Sequence, residues 1–289
     1  MTDPVAFPPV SPGPGSDARS AGNMAAPKVR RIGFDAPLRW LACGWRDLWR
    51  QPAASLFYGI AIAVTGALIL GVTARLPYLF AAAITGFLLV APMLAAGLYE
   101  LSRRYLSGEQ ASLVDSMLAW RRNPSSLAGF ALLSMLAGTA WQVASVVIVA
   151  LFYKGPALAP LDMMIEVLIN PQHYLLFFAY TCAGGLLAAL VFALSVVSMP
   201  MLIDRRCDLL TALATSVNAV AENPRPLAMW AAILMVLTGL GFASLLLGMI
   251  VILPWLGHAS FHAYKDLVES EDSVVSNAGL IGGERSGPN

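Results

Sequence analysis

Six apolar stretches, each near the length a helix needs to cross the hydrocarbon core of a bilayer, recur along this chain at roughly 53–73, 77–101, 125–152, 173–203, 226–246 and 248–268. No other feature restricts the fold so strongly. A chain that is 58% hydrophobic and 12% charged cannot hide its apolar residues in one soluble core. The expectation is an all-α, polytopic membrane helical bundle of six spans. The last two runs are joined by so short a connection, around "GFASLLLGM", that one long span followed by a surface helix is the alternative.

Lysine and arginine orient the bundle, because short cytoplasmic loops retain positive charge. With both termini inside, 16 of the 18 Lys and Arg are cytoplasmic and only Arg75 and Lys154 lie outside. The opening "MTDPVAFPPVSPGPGSDARSAGNMAAP" lacks the apolar core of a cleaved signal and is rich in Pro, Gly and Ser, so residues 1–32 read as a disordered cytoplasmic tail. Residues 33–268 form the membrane domain, and 269–289 read as a second flexible cytoplasmic tail. Cys43, Cys182 and Cys207 show neither a disulfide framework nor thiolate metal spacing.

Laid against itself, the chain repeats. "SMLAWRRNPSSLAGF" at 116–130 and "SVNAVAENPRPLAMW" at 216–230 share Ser, Ala, Asn-Pro and Leu-Ala, and "GWRDLWRQPAASLFY" at 44–58 is a weaker copy with Gln51 in place of Asn. An amphipathic segment precedes each copy, as in helices that lie on a membrane surface. In the first, Leu38, Leu41, Trp45 and Leu48 oppose Arg39, Cys43, Arg46 and Arg50. The second sets Leu113, Val114, Met117 and Leu118 against Ser112, Asp115, Ser116 and Arg122. The third sets Leu209, Leu213, Val217 and Val220 against Asp208, Thr211, Thr215, Asn218 and Glu222.

Pro52, Pro124 and Pro224 then act as joints. Proline disfavours helix in the residue before it and favours the first turn after it, while Asn123 and Asn223 suit the cap. The returning spans carry a second shared element, "PML" at 92–94, "PML" at 200–202 and "PWL" at 254–256. Pro92, Pro200 and Pro254 free the carbonyls of Leu88, Val196 and Ile250 and are expected to bend or break their helices. The resulting units, about 36–105, 109–206 and 207–268, enter the membrane in the same direction, as three parallel hairpin repeats each led by a cytoplasmic interfacial amphipathic helix. In the middle unit "LDMMIEVLI" reads as a short helix on the outer surface.

"LPWLGHASFHAY" holds two of the three histidines, His258 and His262, which share one face of a continuous helix. They are the candidates for cofactor binding. Two imidazoles are too few for a structural metal site, and His173 starts its span at the opposite surface, so the expected role is hydrogen bonding near a helix end, to backbone, Tyr264 or lipid headgroups. No catalytic residue, metal site or cofactor is expected. The spans hold no Asp, Glu, Lys or Arg at their middles, which removes the usual residues of ion-coupled transport, since Glu100, Asp204 and Asp266 lie at the cytoplasmic ends. Gln142 and Thr181 are polar, but helix packing accounts for them. Phosphate loops, GxSxG and HExxH are absent from the sequence.

"GWRDLWRQPAASLFYGI", "PMLAAGLYELSRRYLSGE", "MPMLIDRRCDLLTALATSVNAVAENP" and "ILPWLGHASFHAYKDLV" resemble the bacterial integral membrane family catalogued as domain of unknown function 2189. The resemblance covers about residues 30–268 and implies a multi-pass inner-membrane protein. Some relatives are labelled cytochrome c oxidases, which implies a respiratory oxidase as a partner complex. A haem-copper catalytic subunit needs about six histidines, and this chain has three. The expected function is therefore a non-catalytic accessory, assembly or scaffold component of a membrane complex, the alternative being a channel or carrier for a neutral or lipid-like small molecule. Membrane lipids are the expected partners, and nucleic acid is not.

Overall fold

The computed structural model describes residues 27–76, 80–155 and 160–269. The tails expected over 1–26 and 270–289 lie outside the described residues. Among the described residues the chain is helical, with α1 (Ala36–Arg50), α2 (Pro52–Arg75), α3 (Phe80–Leu106), α4 (Leu113–Met117), α5 (Pro124–Phe152), α6 (Pro160–Ile169), α7 (Tyr174–Ser195), α8 (Ser198–Asp204), α9 (Leu209–Glu222), α10 (Pro224–Ala243) and α11 (Met249–Leu267). Among the described residues, four stretches are long and apolar enough to cross a membrane: Pro52–Arg75, Pro124–Phe152, Pro171–Asp204 and Pro224–Ala243.

Pro52, Pro124 and Pro224 each begin a helix, and the residue before each is non-helical in nearly the same way. Gln51 has φ −138° and ψ 74°, Asn123 φ −150° and ψ 66°, and Asn223 φ −130° and ψ 51°. The asparagines do not cap the helices they precede. Their side chains reach instead to remote backbone. Gln51 Nε2 donates to the carbonyl of Ala111, just before α4, and Asn123 Nδ2 to that of Cys207, just before α9, at 2.8 Å. Asn223 Nδ2 donates to Arg30 O at 3.0 Å and its Oδ1 accepts from Ile32 N at 2.9 Å, just before α1. The three amides thus tie the first joint to the second surface segment, the second to the third, and the third back to the first. The stretch 28–32, at the end of the expected tail, also pairs with the end of α11 through an isolated bridge, Val29 to Val268, and Arg30 N donating to Leu267 O at 2.8 Å.

Burial follows the same register. Six residues after the joint proline stand Tyr58, Phe130 and Trp230, all buried, and seven residues before the joint amide stand Gly44, Ser116 and Ser216, buried as well. The surface segments bury part of the expected apolar face, Leu48 fully and Leu41, Leu209, Leu213 and Val220 in part, together with small and polar residues the sequence did not single out as inward. On α9 the buried residues are Ala212, Thr215, Ser216 and Ala219, whereas Val217 is exposed; on α1 they include Gly44 and Asp47, while Leu38 and Trp45 are exposed. Small side chains let a surface helix approach the bundle closely, while Trp40 and Leu48 of α1, both buried, fill the contact beside them. The second segment is not one α-helix but α4 followed by a 3-10 turn, Ala119–Arg122. Its flanking residues, Ala111 and Asn123, are both tethered over a shorter stretch than in the other units, and 3-10 winding rises further per residue.

The returning helices respond unequally to their prolines. Ahead of Pro200 the chain breaks at Val196–Val197, separating α7 from α8. Helix α11 continues through Pro254, and α3 runs unbroken through Pro92, whose side chain lies outside the described residues. The carbonyl of Ile250, the acceptor that Pro254 leaves without its helical donor, lies against Gly59 of α2, where an added Cβ would come within 2.0 Å of it. Only glycine allows that approach. The α10–α11 connection turns through Leu245 and Leu246, at φ +54° and +70°, a left-handed pair that is uncommon for residues with a Cβ.

Asn223 therefore bears more than a cap. Asn223→Ala removes both tethers to residues 30–32 and is expected to cost about 2–3 kcal/mol, more than Pro224→Ala, which the sequence alone would rank as the more damaging change. Thermal denaturation of the two variants in detergent checks the order.

Candidate functional site

Where α1, α2, α3 and α11 meet, polar side chains form one buried chain of hydrogen bonds. Asp47 on α1 is 2% exposed, and Ser55, Ser102 and His258 are fully buried. Ser102 Oγ donates to Asp47 Oδ2 at 3.0 Å, His258 Nδ1 lies 2.7 Å from Ser102 Oγ, and His258 Nε2 lies 2.9 Å from Ser55 Oγ. His262 Nε2 bonds the same Asp47 oxygen at 2.8 Å, and Arg50 reaches the other at 3.3 Å.

The proton positions follow from counting donors. A hydroxyl has one hydrogen, and Ser102 gives its own to a carboxylate that can only accept. It must accept from His258 Nδ1–H, so a neutral His258 presents Nε2 as acceptor to the Ser55 hydroxyl. The chain runs in one direction, from Ser55 through His258 and Ser102 to Asp47. For Asp47, burial raises the carboxyl pKa, but the bond and charge of His262 and the Ser102 bond outweigh it and hold the group below its ordinary 3.8.

Two further clusters lie beside this one. Glu100 accepts from Arg103 at 2.8 and 2.9 Å and from Arg104 at 2.9 Å, with Arg122 3.8 Å away. Asp204 accepts from Tyr264 at 2.7 Å and Lys265 at 2.6 Å, while Trp40 Nε1 donates to Asp266 at 2.8 Å. Glu100, Asp204 and Asp266 are thus all held by side chains of the protein.

Two cavities of about 600 and 670 Å³ adjoin between the helices. The first is bounded by α3, α5, α7, α8, α10 and α11, the second by α2, α3, α10, α11 and the α10–α11 turn, and Ala95, Tyr99, Leu234 and Ser260 belong to both. Neither wall includes an Asp, Glu, Lys, Arg or His among the described residues. Helices α7 and α10 make no extended contact, and the first cavity lies between them.

His258 and His262 sit on one face, as their spacing requires, yet they are not aimed at a common ion. One bonds two serines, the other an aspartate, and among the described residues no group of three or more His, Cys, Asp and Glu is arranged to hold a metal. Nor does either bond Tyr264, whose hydroxyl serves Asp204. His173 stands apart, 3.5 Å from Glu166 and 5.0 Å from the Tyr153 ring. Sequence reasoning missed Asp47, Ser55 and Ser102. The signal for Asp47 was available: four residues before each joint amide the chain has Asp47, Ala119 and Ala219, so an acid fills a position that is small and apolar in the other two copies. Ser55 likewise replaces Leu127 and Leu227.

Helices of this length and apolarity make the chain an integral membrane protein of the all-helical class. Residues 79–204, from the start of α3 to the end of α8, match the family described as predicted integral membrane protein, domain of unknown function 2189. The matched stretch includes "PMLAAGLYELSRRYLSGE" but neither α1 nor the His258–His262 segment. No curated protein and no solved structure matches the chain.

A carboxyl held below its ordinary pKa stabilises the fold above about pH 4, and that contribution fades as pH falls through the folded value. Melting in detergent should show Asp47→Asn destabilised near pH 7, by about 3 kcal/mol where a buried charged partner is removed, and the difference from the unmodified protein should shrink towards pH 3. A difference that stays constant across this range would mean that Asp47 is not ionised in the fold.

Proposed function

We propose that this protein crosses a bacterial inner membrane six times, in three parallel hairpins with both termini cytoplasmic, and holds a neutral, lipid-like molecule between them as a carrier or channel. The observation that carries the function is the pair of adjoining cavities, walled by apolar side chains and without a charged residue among those described. A cavity of several hundred Å³ has the size of a small-molecule site, and an uncharged wall in a membrane protein suits an uncharged apolar guest.

Six crossings are supported by α3 and α11, which return the chain after α2 and α10. Helix α11 is less apolar than the others because it bears His258, His262, Lys265 and Asp266, but these bond inward or at its cytoplasmic end, where they do not meet lipid. The three parallel hairpins are supported by the matching dihedrals at Gln51, Asn123 and Asn223, by their tethers, and by the buried aromatics Tyr58, Phe130 and Trp230. Orientation rests on the cytoplasmic excess of Lys and Arg.

Single cysteines in a background lacking the three native ones test the topology. Position 160 should react from outside with a membrane-impermeant thiol reagent and positions 115 and 215 should not; labelling at 115 or 215, or none at 160, would reject the six-span arrangement with cytoplasmic termini. Function is tested by purification in mild detergent followed by mass spectrometry of bound lipid and protein. A lipid-like molecule should co-purify at about one per chain with the unmodified protein and fall several-fold in Ala188→Trp, which fills the first cavity. A stoichiometric protein partner with no bound lipid would support instead the accessory, assembly or scaffold role.

A further inference from the structure

Resting on that reading, we infer that the first cavity opens sideways into the cytoplasmic half of the bilayer, through the seam between α7 and α10, and takes the acyl chain of a membrane lipid. Three seams are equivalent in the repeat, each where the returning helix of one unit meets the outgoing helix of the next. Helix α3 packs along α5 and α11 packs along α2, but α7 does not pack along α10. The break at Val196–Val197 accounts for the difference. Beyond it α8 stays in the core, with residues 198–203 buried and Val197 N donating to Ser216 Oγ of α9 at 3.1 Å, whereas α7 leaves the core and has only Leu176 buried. Helices α3 and α11 have no such break, and their seams stay closed.

Two residues stand at the mouth. Ala188 and Val191 line the first cavity from α7 and are exposed on the surface of the bundle as well. Depth follows from the joints: Phe130 and Trp230, also in the wall, lie six residues and so about 9 Å beyond Pro124 and Pro224. That level is inside the hydrocarbon of the cytoplasmic leaflet. Beneath it α9 packs against both α7 and α10, and its Leu209 reaches Gly129 of α5, where an added Cβ would lie 2.9 Å away, so the opening faces lipid and not the cytoplasm. An empty seam leaves its apolar wall without van der Waals partners, and a lipid chain supplies them. A transmembrane helix is about 10 Å across, so a cavity of about 600 Å³ admits under two turns of one and is better matched by a single run of methylenes. The serines of the wall ask nothing of a guest, because Ser134, Ser195 and Ser260 donate to the carbonyls of Phe130, Phe192 and Leu256.

Photolabelling tests the route. The full-length protein is reconstituted into vesicles with a phosphatidylcholine that carries a diazirine on one acyl chain, irradiated, and mapped for adducts by proteolysis and mass spectrometry. Phe130 and Met199 are the reporters, since they line the cavity with only 7% and 4% of their surface exposed, and Leu186, on the outside of α7, is the reference. Adducts should form on all three, and Val191→Trp, which narrows the mouth, should lower those on Phe130 and Met199 several-fold without changing Leu186. The water-soluble diazirine 4,4-azipentanoate, present on both sides of the membrane, should label neither reporter. Lipid adducts confined to outward residues such as Leu186 and Leu190 overturn the inference, as they would if a second copy or another protein filled the seam. Labelling of the reporters by 4,4-azipentanoate, or lipid labelling that Val191→Trp leaves unchanged, overturns it too. In each of these cases the cavity reading stands or falls separately, on whether lipid co-purifies from cells. Comparing two probes on the unmodified protein keeps the inference falsifiable even where the variant folds poorly.

Discussion

A buried carboxylate on a helix that lies against the bundle can persist only if other elements satisfy it, and Asp47 draws its partners from two of them. Ser102 comes from α3 and His262 from α11, while His258 extends the same chain of bonds to Ser55 on α2. Losing any one partner leaves a desolvated charge or an unpaired hydroxyl, so the four helices are bound to a single arrangement. Close packing makes that arrangement attainable. Gly44 brings α1 against the backbone of α11, where an added Cβ would come within 2.6 Å of Ala259 N, and Gly59 does the same for α2.

Away from this network the molecule is organised by amides. Gln51, Asn123 and Asn223 stand where one helix stops and the next starts, and each uses its side chain on a carbonyl of a different unit. These carbonyls precede helices and have no intrahelical donor, so side chains supply their hydrogen bonds, Ser126 joining Asn123 at Cys207. The bonds close on themselves through residues 28–32, which places the start of the described chain beside its end at Val268. A ring held at one end can leave space at its middle, and the first cavity lies where α7 and α10 do not pack together.

Much of this was legible in the residues. Apolar length gave the spanning helices and the Asn-Pro pairs gave the helix starts at Pro124 and Pro224, because both signals are local and rest on backbone sterics. What the asparagines bond was not legible, since a cap and a tether use the same amide and only the fold decides which carbonyl is near. The inward faces of α1 and α9 were legible only in part: Leu48 is buried as expected, but Leu38, Trp45 and Val217 are exposed. Amphipathicity marks a large apolar face, but a helix wedged between protein and lipid has two apolar boundaries, and the pattern alone does not say which apolar residues face the protein.

The sequence by itself determined that this chain is a helical membrane protein with three similar joints, because hydrophobic length and proline act through neighbouring residues alone. Only the tertiary structure decided what His258 and His262 do, since their partners, Ser55, Ser102 and Asp47, are as far as 215 residues away along the chain. It also decided that Trp230 would keep an unused N–H while Trp40, packed against it, would not. The two indoles are chemically alike, and the difference is that Asp266 reaches only one of them.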